Sequence, residues 1–455
     1  MKVLKFGGTS VGTVGSLSNL KSIVDSLEEP AVVVVSALGG LTDRLIATAR
    51  AASEGDSSFR SSVAEMATRH FDIIDALVPQ SRRETVREVI AELLAGLEDI
   101  YTGVALIREL SEKTLSRIVS FGERMSSVIV AEILDNAEHR DSLTFMRTEK
   151  WFNRDIAARQ LTDDLIREAF PLPLTRTVVT GGFISLDKDT GEITNLGRGG
   201  SDYTAALIAA ALDADSLEIW TDVDGFMTAD PRVIRDARVI ESMSFIESME
   251  LCSFGAKVIY PPTIYPVFHK NIPIRILNTF NPSAPGTLIT DSSENLSSDV
   301  RGVSSVKNTC LVSVSGSLTS NVAQINSRSY NAMARNGVSI FLVAQPNAAT
   351  SFSMAVSELD ADRAVEILSR EFAPELQNGE VTGVSIERDL SVIAVVRESI
   401  KEIRGLGARL VNTLQREGIA VKAVSDGASE STIAIITSAS DTDRSLCLIH
   451  TACFG

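Results

Sequence analysis

The stretch KFGGTSVG (Lys5–Gly12) follows a short apolar run and precedes a segment that reads as a helix. Its two glycines lack a Cβ atom, so their backbone N–H groups can approach phosphate oxygens closely. Its two hydroxyl residues can cap the following helix, and Lys5 supplies a compact cation at the same place. Four residues are therefore candidate anion contacts: Gly7, Gly8, Thr9 and Ser10. The order excludes a Walker A loop, in which the lysine follows the glycines, but a tight turn without a ligand remains an alternative.

Short apolar runs separated by helical stretches continue through the first half of the chain. Val32–Val35, Thr177–Val179 and Leu217–Trp220 are almost continuously apolar, as expected of parallel strands that are buried on both faces. A glycine-containing turn follows each run, and ligands of open parallel sheets bind beyond the carboxyl ends of the strands. Residues 51–116 carry many charges and few turn signals, which favours a helical layer. We therefore predict an α/β fold with an open, mostly parallel sheet between helical layers.

A second glycine-rich stretch, GRGGSDYTAAL (Gly197–Leu207), leads into an alanine-rich helix. A guanidinium held by glycine-rich backbone, as at Arg198, suits bidentate capture of a carboxylate. Ser201 or Asp202 is expected to open the helix. Asp202 is then a plain N-terminal cap, a residue that orients a nearby lysine, or both.

Three further stretches are weak signals when taken alone. TDVDGFMTADPR (Thr221–Arg232) has acidic residues at a strand end, but its Asp-Gly and Asp-Pro pairs are ordinary turn dipeptides. GAKVIYPPT places Lys257 among small residues, where the side chain can reach a phosphate or simply remain solvated. SFGERMSS places Glu123 after a glycine at the expected start of a helix, where a solvated cap residue is the plain interpretation.

The sequence changes character near residues 281–300, where NPSAPG and the serine-rich DSSENLSSD indicate a domain boundary. Beyond it lies an internal repeat. YNAMARNGVSI (Tyr330–Ile340) aligns without a gap with VNTLQREGIAV (Val411–Val421), which places Gly337 opposite Gly418. Each repeat reads strand, helix, strand, strand, and two such units can lay their sheets together and bury a shared face. The second half therefore predicts a duplicated α+β module.

Composition excludes several classes of function. The 455 residues carry 43 Lys and Arg against 59 Asp and Glu, and this net charge of −16 argues against general affinity for nucleic acid or an anionic membrane. The four cysteines form no CxxC pair, which fits free thiols in a reducing compartment. The N-terminus lacks the apolar stretch of a signal peptide, and the longest apolar runs are too short to span a bilayer. We expect a soluble, cytoplasmic protein.

Eight stretches, in order along the chain, resemble the aspartate kinase members of the amino-acid kinase superfamily: KFGGTSV, VVSALGGLTD, SFGERMSS, TGGFI, LGRGGSDYTAALIA, WTDVDGFMTADPR, MELCSFGAKVIYPPTI and NTFNPSAPGTLI. They cover most of residues 1–290, and the C-terminal repeat resembles the paired ACT domains of that family, in which one ACT unit is inserted within the other. The resemblance implies an amino-acid kinase fold followed by two ferredoxin-like α+β ACT units. It assigns residues 1–295 to a catalytic domain, 296–385 to a first ACT unit and 386–455 to a second, with Val303–Asn308 supplying a strand to the second unit.

The resemblance also implies residue roles. Lys5 corresponds to the lysine that contacts the transferring phosphoryl group, and Asp202 to the aspartate that orients this catalytic lysine. Arg198 corresponds to the arginine that grips the α-carboxylate of the substrate. The other expected substrate-binding residues are Thr42, Glu123 and Ser201. The expected nucleotide-binding residues are Gly7, Gly8, Thr9, Ser10, Thr221, Asp222, Arg232 and Lys257.

The implied reaction transfers the γ-phosphate of ATP to the β-carboxylate of L-aspartate. Its product is 4-phospho-L-aspartate, the first intermediate toward lysine, threonine, methionine and isoleucine. Mg²⁺ is expected on the ATP phosphates rather than in a cage of protein ligands. A histidine base is not required, because a carboxylate nucleophile is already ionised at neutral pH. Glutamate 5-kinase, N-acetylglutamate kinase and an amino-acid sensor with an inactive kinase half remain alternatives.

An ACT pair implies regulation by an amino acid and assembly into a homo-oligomer, expected to be a dimer through the ACT units. The candidate effector contacts are Asn321, Val322, Ile340 and Gln345. The stretch SMSFIESMELCSFGAKV resembles bifunctional aspartokinase–homoserine dehydrogenases, which favours threonine, with lysine as the other candidate. Dimerisation without effector binding remains an alternative. No dehydrogenase motif follows the repeat, so the chain is expected to be a monofunctional enzyme or a piece of a bifunctional one.

The chain departs from the family pattern at three places. Met227 replaces the usual tyrosine of the DGVYT stretch, which removes a polar or stacking contact expected with the nucleotide. YPPT at Tyr260–Thr263 replaces an HPRT-like stretch, and AQPNAAT at Ala344–Thr350 replaces the frequent SQxSSE-like loop of the first ACT unit. The last change leaves the identity of the effector open.

Overall fold

The computed structural model describes residues 1–151, 154–291, 300–317, 321–344, 351–426 and 430–455. These residues form two compact units, Met1–Phe226 with Val258–Asp291 and Met227–Lys257 with Ser292–Gly455. The boundary expected after residue 295 lies outside the described residues. The segment Met227–Lys257, which the sequence placed in the catalytic domain, groups with the second unit.

The described residues alternate strands and helices along the whole chain. The strands are β1 (Lys2–Phe6), β2 (Val32–Val35), β3 (Ala137–His139), β4 (Arg147–Trp151), β5 (Arg154–Ala157), β6 (Thr177–Gly181), β7 (Ile184–Asp187), β8 (Ile193–Asn195), β9 (Ser216–Thr221), β10 (Ser242–Ser244), β11 (Ile274–Asn278), β12 (Thr287–Thr290), β13 (Gly302–Gly316), β14 (Ile340–Ala344), β15 (Ser351–Ser357), β16 (Val381–Val396), β17 (Val421–Ser425) and β18 (Thr432–Ser438). The helices are α1 (Val14–Asp25), α2 (Leu41–Ser53), α3 (Phe59–Leu77), α4 (Arg83–Ile107), α5 (Glu112–Ile133), α6 (Arg159–Ala169), α7 (Gly200–Ala211), α8 (Phe245–Ser253), α9 (Ile264–Phe268), α10 (Val322–Arg335), α11 (Glu358–Glu371), α12 (Ala373–Asn378), α13 (Leu406–Arg416) and α14 (Thr442–Phe454). No helix among these described segments combines the length and the apolar character needed to cross a membrane.

The main sheet of the first unit has the strand order β12-β11-β9-β1-β2-β6-β3. Its neighbouring strands are parallel, except for the antiparallel pair β11 and β12. Leu4 and Val33 face an apolar cluster shared with α1–α5, whereas Lys5 faces α7 on the other side of the sheet. Both faces are covered, which explains why the central strands are continuously apolar. The prediction of a mostly parallel sheet between helical layers is confirmed.

The helical layer predicted at residues 51–116 is confirmed. It consists mainly of the long helices α3 and α4, between the end of α2 and the start of α5. Their inward-facing residues, among them Ile74, Ile90 and Leu97, belong to the same apolar cluster as one face of the sheet. A smaller sheet with the order β5-β4-β7-β8 completes the first unit.

The start of α1 differs from the prediction that Thr9 and Ser10 cap it. Thr9–Val11 form a separate 3₁₀ turn, and α1 begins only at Val14. The cap is Thr13, whose hydroxyl accepts the N–H of Ser16 while the Ser16 hydroxyl accepts the N–H of Thr13. This reciprocal box satisfies the amides of the first turn of α1, so the turn Gly7–Gly12 does not need to do so.

Two long strands organise the second unit. Its six-stranded antiparallel sheet has the order β14-β15-β13-β16-β18-β17. The first part of β13, Gly302–Val306, pairs with Val392–Val396 of β16, and the later part, Thr309–Gly316, pairs with Val381–Leu390. Each long strand therefore serves both repeats, and the boundary expected after residue 385 falls inside β16.

The two repeats join edge to edge in one sheet rather than as two stacked sheets. The outer strands β14 and β17 nevertheless approach each other, so the sheet curves around a shared apolar face. Leu311 and Leu342 from the first repeat lie there with Leu390 and Ile436 from the second. Helices α10 and α11 cover the other face of the first repeat, and α13 and α14 cover that of the second. The predicted pair of α+β units is confirmed.

A buried ion pair ties α8 to the sheet of the second unit. Glu247 on α8 is fully buried, and the Nε of Arg301 lies 3.2 Å from each of its carboxylate oxygens. The same carboxylate accepts the backbone N–H groups of Ser244 at 2.9 Å and of Glu398 at 3.0 Å. Because all four groups lie away from water, losing one partner would leave a buried charge uncompensated.

Replacing Glu247 by Ala is expected to destabilise the protein by about 3–5 kcal/mol, because the guanidinium of Arg301 would lose its carboxylate while still buried. Urea and thermal unfolding of the full chain would measure this loss. Glu366→Ala is the matched control, since it removes an exposed ion pair with Arg370 in the same unit and should cost less than about 1 kcal/mol. Equal losses in the two variants would contradict the assigned role of the buried pair.

Candidate active site

A cavity of about 350 Å³ lies at the carboxyl ends of β1, β2 and β6 in the first unit. Four glycine-bearing segments and the middle of α5 line it. The lining residues are Lys5, Gly8, Ser36, Ala37, Leu38, Gly39, Gly40, Thr42, Asp43, Glu123, Phe183, Gly197, Gly199, Gly200, Ser201 and Asp202. Parallel strands end at the same edge of their sheet, which is why segments far apart in sequence meet there.

Lys5 and Asp202 form a buried ion pair at one side of the cavity. The Lys5 Nζ lies 2.5 Å from Oδ1 of Asp202, and each residue is only 9% exposed. Asp202 is not the N-terminal cap of α7, because the helix begins at Gly200 with Gly199 as its N-cap. Its carboxylate instead holds the Lys5 ammonium group at a fixed position beside the cavity.

Two helix N-termini open onto the same cavity. The N-cap residues of α2 and α7 are Gly40 and Gly199, and neither supplies a side-chain oxygen to the first turn. Both glycines are left-handed, with φ of 77° and 69°, a conformation that costs little only without a Cβ atom. The N–H groups of Leu41 and Gly200 donate to the carbonyls of Leu38 and Gly197. The amides available to an anion are therefore those of the next residues, Thr42 and Asp43 in α2 and Ser201 and Asp202 in α7, and the helix dipoles favour negative charge there.

Asp202 is paired with a lysine, whereas no ion pair of Glu123 is seen among the described residues. Glu123 sits in the middle of α5, which runs from Glu112, so the expectation of a solvated residue at a helix start is wrong. Glu123 is 4% exposed, and its Oε2 has no hydrogen-bond partner in the described structure. Burial raises the pKa of this carboxyl to about 8, although the backbone N–H groups of Ala37 and Glu123 partly oppose the rise. A buried carboxyl with a free oxygen beside a cavity suits a cationic group of a ligand.

Two glycines allow α5 and α7 to come close enough to the strand ends for their side chains to line the cavity. A Cβ atom on Gly122 would lie 2.7 Å from the Cβ of Ala37, and one on Gly182 would lie 2.6 Å from the Cα of Ser201. Because neither contact leaves room for a side chain, the glycines let α5 and α7 approach the turns that follow β2 and β6. Glu123 and Ser201 owe their places at the cavity to these two approaches.

The structure brings most of the expected substrate and catalytic residues together. Six line the cavity: Lys5, Gly8, Thr42, Glu123, Ser201 and Asp202. Arg198 is exposed between Gly197 and Gly199, both of which line the cavity, so its backbone lies at the cavity rim although Arg198 itself is not a lining residue. The structure corrects the expectation that the Ser10 hydroxyl contacts the nucleotide. Ser10 is fully buried, and its hydroxyl hydrogen-bonds Thr279 at 2.7 Å. That hydroxyl joins two strand ends and is not available to a ligand.

The expected nucleotide contacts fall into two groups. Thr221 and Asp222 lie at the carboxyl end of β9 in the first unit, next to β1 in the sheet. The N–H of Gly7 donates to the carbonyl of Trp220 at 3.1 Å, which fixes the glycine turn against this strand end. Arg232 and Lys257 belong to the second unit, where both are exposed and Arg232 binds Asp230 through two nitrogens.

The candidate effector contacts lie in the first repeat of the second unit. Asn321 is the N-cap of α10 and accepts the N–H of Gln324 at 3.3 Å, and Val322 opens the helix. Ile340 begins β14. Gln345 lies outside the described residues.

Sequence reasoning missed five lining residues that carry side chains: Ser36, Ala37, Leu38, Asp43 and Phe183. Phe183 has a left-handed backbone with φ of 70°, which is unusual for a bulky residue and marks a constrained position. The glycine turn TGGF pointed to this segment, but only the fold shows that the phenylalanine borders the cavity. Asp43 follows Thr42 in the first turn of α2, and its motif position gave no separate signal.

Comparisons with known proteins agree with this geometry. The pattern of the Amino acid kinase family matches residues 1–278, and the ACT domain pattern matches residues 312–372 and 393–453. The chain is 31% identical over 465 residues to a bifunctional aspartokinase/homoserine dehydrogenase of Haemophilus influenzae. That match covers 100% of this chain but 57% of the relative, so the chain spans little more than half the length of this curated relative.

Solved structures resemble the whole chain. The crystal structure of E. coli aspartokinase III in complex with aspartate and ADP, described as the R-state, matches with a TM-score of 0.86 and 29% identity. The same enzyme in complex with lysine and aspartate, described as the T-state, matches with a TM-score of 0.76 and 29% identity. Each match covers 100% of both chains. With its family pattern over residues 1–278, this chain belongs to the amino acid kinase family and carries a pair of ACT domains behind the kinase fold.

Proposed function

We propose that this chain is an aspartate kinase, which transfers the γ-phosphate of ATP to the β-carboxylate of L-aspartate and yields 4-phospho-L-aspartate and ADP. One observation carries the choice of acceptor. The cavity that holds the Lys5–Asp202 pair also contains Glu123, buried and with one free carboxylate oxygen. A free amino acid brings an ammonium group to pair with that oxygen, whereas an N-acylated acceptor does not.

The acceptor is held by three kinds of contact. Glu123 binds the α-ammonium group, and Arg198 binds the α-carboxylate as a bidentate partner. The hydroxyls of Thr42 and Ser201 add hydrogen bonds at the cavity wall. This arrangement leaves the β-carboxylate directed toward Lys5. The carboxylate is ionised at neutral pH and needs no base to become a nucleophile.

The main barrier is the meeting of two anions. At about 4 Å and an effective dielectric near 20, each pair of unit like charges costs about 4 kcal/mol. Lys5 offsets this repulsion at the transferring phosphoryl group, and the free amides of the glycine turn and of α2 and α7 stabilise its equatorial oxygens. Asp202 keeps the ammonium group of Lys5 in place. Gly7, Gly8, Thr9, Thr221 and Asp222 are proposed nucleotide contacts in the first unit, and Arg232 and Lys257 are proposed on the resemblance alone.

Mg²⁺ is the proposed metal, carried by the phosphates of ATP. The oxygen donors beside the cavity, which include the exposed carboxylate of Asp43 and the hydroxyls of Thr42 and Ser201, fit a hard cation that keeps several waters. When bound, the metal neutralises phosphate charge and aligns the β- and γ-phosphates.

The second unit is proposed to regulate the kinase. An amino-acid end product, threonine or lysine, binds the ACT pair near Asn321, Val322, Ile340 and Gln345 and shifts an equilibrium of kinase conformations. The solved relative with lysine bound and its R- and T-state descriptions support an effector of this class. The same proposal includes a dimer formed through the ACT units. It also includes a location in the cytoplasm and a role in the biosynthesis of lysine, threonine and methionine.

A phosphorylation assay across acceptors tests the proposal directly. With ATP and Mg²⁺ the chain is expected to turn over L-aspartate, and much less glutamate or N-acetylglutamate. N-acetylglutamate lacks the ammonium group that Glu123 would bind, and glutamate carries its side-chain carboxylate one methylene farther from that group. Repeating the assay with threonine, lysine and methionine at millimolar concentration tests regulation. Nucleotide binding without turnover of any acceptor would instead support an amino-acid sensor, and indifference to all three amino acids would remove the effector proposal.

Replacing Lys5 by Met is expected to lower kcat by about 10²–10³-fold, as removal of a single preorganised charge donor does in other enzymes. The methionine keeps the packing of the lysine stem but leaves Asp202 buried without its cation, so thermal unfolding is measured beside kcat to establish that the variant is folded. Lys270→Met is the matched control, because Lys270 pairs with Asp213 at the surface of the same unit and should leave kcat unchanged. A folded Lys5→Met protein with normal turnover would refute the assigned role.

Glu123 should impose a pH dependence on both binding and stability. Its pKa of about 8 means that kcat/KM for aspartate rises with pH up to about 8, since only the ionised carboxylate attracts the ammonium group. Burial stabilises the protonated form in the folded state, so this contribution to stability is complete below pH 4.5 and is lost as pH rises through about 8.

Glu123→Gln should abolish the rise of kcat/KM and be more heat-stable than wild type at pH 8. The difference in Tm should vanish near pH 4.5. Glu112→Gln, at the exposed start of the same helix, is the control and should change neither profile. A wild-type profile that is flat between pH 6 and 9, with equal Tm values for both proteins, would show that Glu123 does not titrate in this way.

A further inference from the structure

An exposed aromatic ring lies at the carboxyl ends of the strands on the far side of β1 from the cavity. Phe280 follows β11 by two residues and is 51% exposed. The cavity occupies the ends of β1, β2 and β6, whereas β9 and β11 are the neighbours of β1 in the other direction. β1 thus separates two sides of the carboxyl edge of the main sheet. Glu123 lies on the acceptor side, with β2 and β6, and Phe280 lies on the other side, with β9 and β11.

The turn that carries Phe280 is braced by hydrogen bonds on every side. The N–H of Phe280 donates to Oδ1 of Asn278 at 2.8 Å. The amide groups of Asn278 and Asn281 both donate to Oδ1 of Asp224, at 2.8 and 3.1 Å. Asp224 belongs to the turn that follows β9, so two neighbouring strand ends are clamped together. The ring is therefore presented to water by a fixed backbone.

The same turn is tied to the anion-binding glycine turn. Ser10 hydrogen-bonds Thr279, the residue before Phe280, at 2.7 Å, and the N–H of Thr279 donates to the carbonyl of Thr221 at 2.9 Å. β11 is two strands away from β1, which places the turn about 10 Å from the end of β1 at ordinary strand spacing. That separation suits a molecule with phosphates at the glycine turn and a flat ring system at the other end.

Covering the exposed ring of Phe280 with a ligand gains free energy, since burying a ring of this size is worth about 1.5–3 kcal/mol. Among the described aromatic residues, none makes a ring contact with Phe280. The hydroxyl of Thr221 and the exposed carboxylate of Asp222 lie at the end of the adjacent strand and can hydrogen-bond sugar hydroxyls. Groups suited to phosphate, sugar and a flat ring thus succeed one another from β1 to β11.

We propose that the Phe280 ring is the stacking platform for the purine base of the nucleotide co-substrate. The inference rests on the proposed use of ATP and adds the residue that holds the base. Stacking is tolerant of base identity because every base has a π-face, so Phe280 sets nucleotide affinity rather than selection among purines. Phe280 touches the base and takes no part in the transfer of the phosphoryl group.

Calorimetric titration of the full chain with MgADP and, separately, with inorganic tripolyphosphate tests this. Phe280→Ala should weaken MgADP binding about tenfold and leave tripolyphosphate binding unchanged, since only the base is lost from its platform. Phe280→Leu, which keeps the apolar bulk without a π-face, should fall between Ala and wild type. Phe280→Trp should bind MgADP like wild type, and ADP should quench the new indole emission.

Tyr265→Ala is the matched control, because Tyr265 is 53% exposed in the same unit and should leave both affinities unchanged. An MgADP affinity within twofold of wild type in folded Phe280→Ala would overturn the proposal. Equal weakening of ADP and tripolyphosphate would also overturn it, because it would indicate general damage to the site. A chain that binds ADP through Phe280 but does not phosphorylate aspartate would refute the proposed acceptor and leave the base site standing. A chain that binds neither probe would refute both.

Discussion

The buried ion pair between Lys5 and Asp202 is the constraint on which the candidate site depends. Both groups are almost inaccessible to water, so removing one would leave the other as a buried charge without a partner. Lys5 comes from the central strand and Asp202 from the first turn of α7, and their attraction fixes the helix against the sheet edge. Once α7 is fixed, the backbone amides of Ser201 and Asp202 in its first turn lie at the cavity, and the segment Gly197–Gly199 carries Arg198 along its rim. The charge that serves the chemistry is thus also part of the fold.

Glu123 and Asp202 show how one cavity gives two carboxyl groups different partners. Asp202 meets a cation at 2.5 Å, whereas Glu123 has only backbone amides and a free oxygen. Its pKa is raised to about 8 because burial disfavours its charge. A ligand ammonium group supplies the missing partner and thereby recovers the cost of burial on binding. Such a site favours a ligand that carries an ammonium group. An acceptor without one leaves the Glu123 carboxyl group either protonated or charged without a cationic partner.

Much of the fold could be predicted from the sequence, because its signals are local. The apolar runs of the central strands indicate burial on both faces, and the ungapped repeat around Gly337 and Gly418 predicts the duplicated module. Predictions failed where a residue's role is set by a distant partner. Ser10 is buried by Thr279, 269 positions later, and Glu123 is buried because Gly122 meets Ala37. Neither contact leaves a trace in the local pattern, which for a glutamate after a glycine indicates a solvated residue. The resemblance named Glu123, but it could not show that its carboxyl is buried.

The segment Met227–Lys257 belongs to the second unit, but the chain before it and after it belongs to the first. Met227–Lys257 leaves the first unit directly after the β9 turn and returns to it at Val258. Within the second unit the segment is anchored by Glu247, which binds Arg301 and the N–H of Glu398, at the start of β13 and the end of β16. At its return the chain leads to Tyr260, whose side chain occupies the space that a Cβ atom on Gly199 would need. Glu247 therefore anchors the segment to the ends of β13 and β16 in the second unit. The chain on its N-terminal side comes from the β9 turn, and the chain on its C-terminal side leads to Tyr260 beside Gly199.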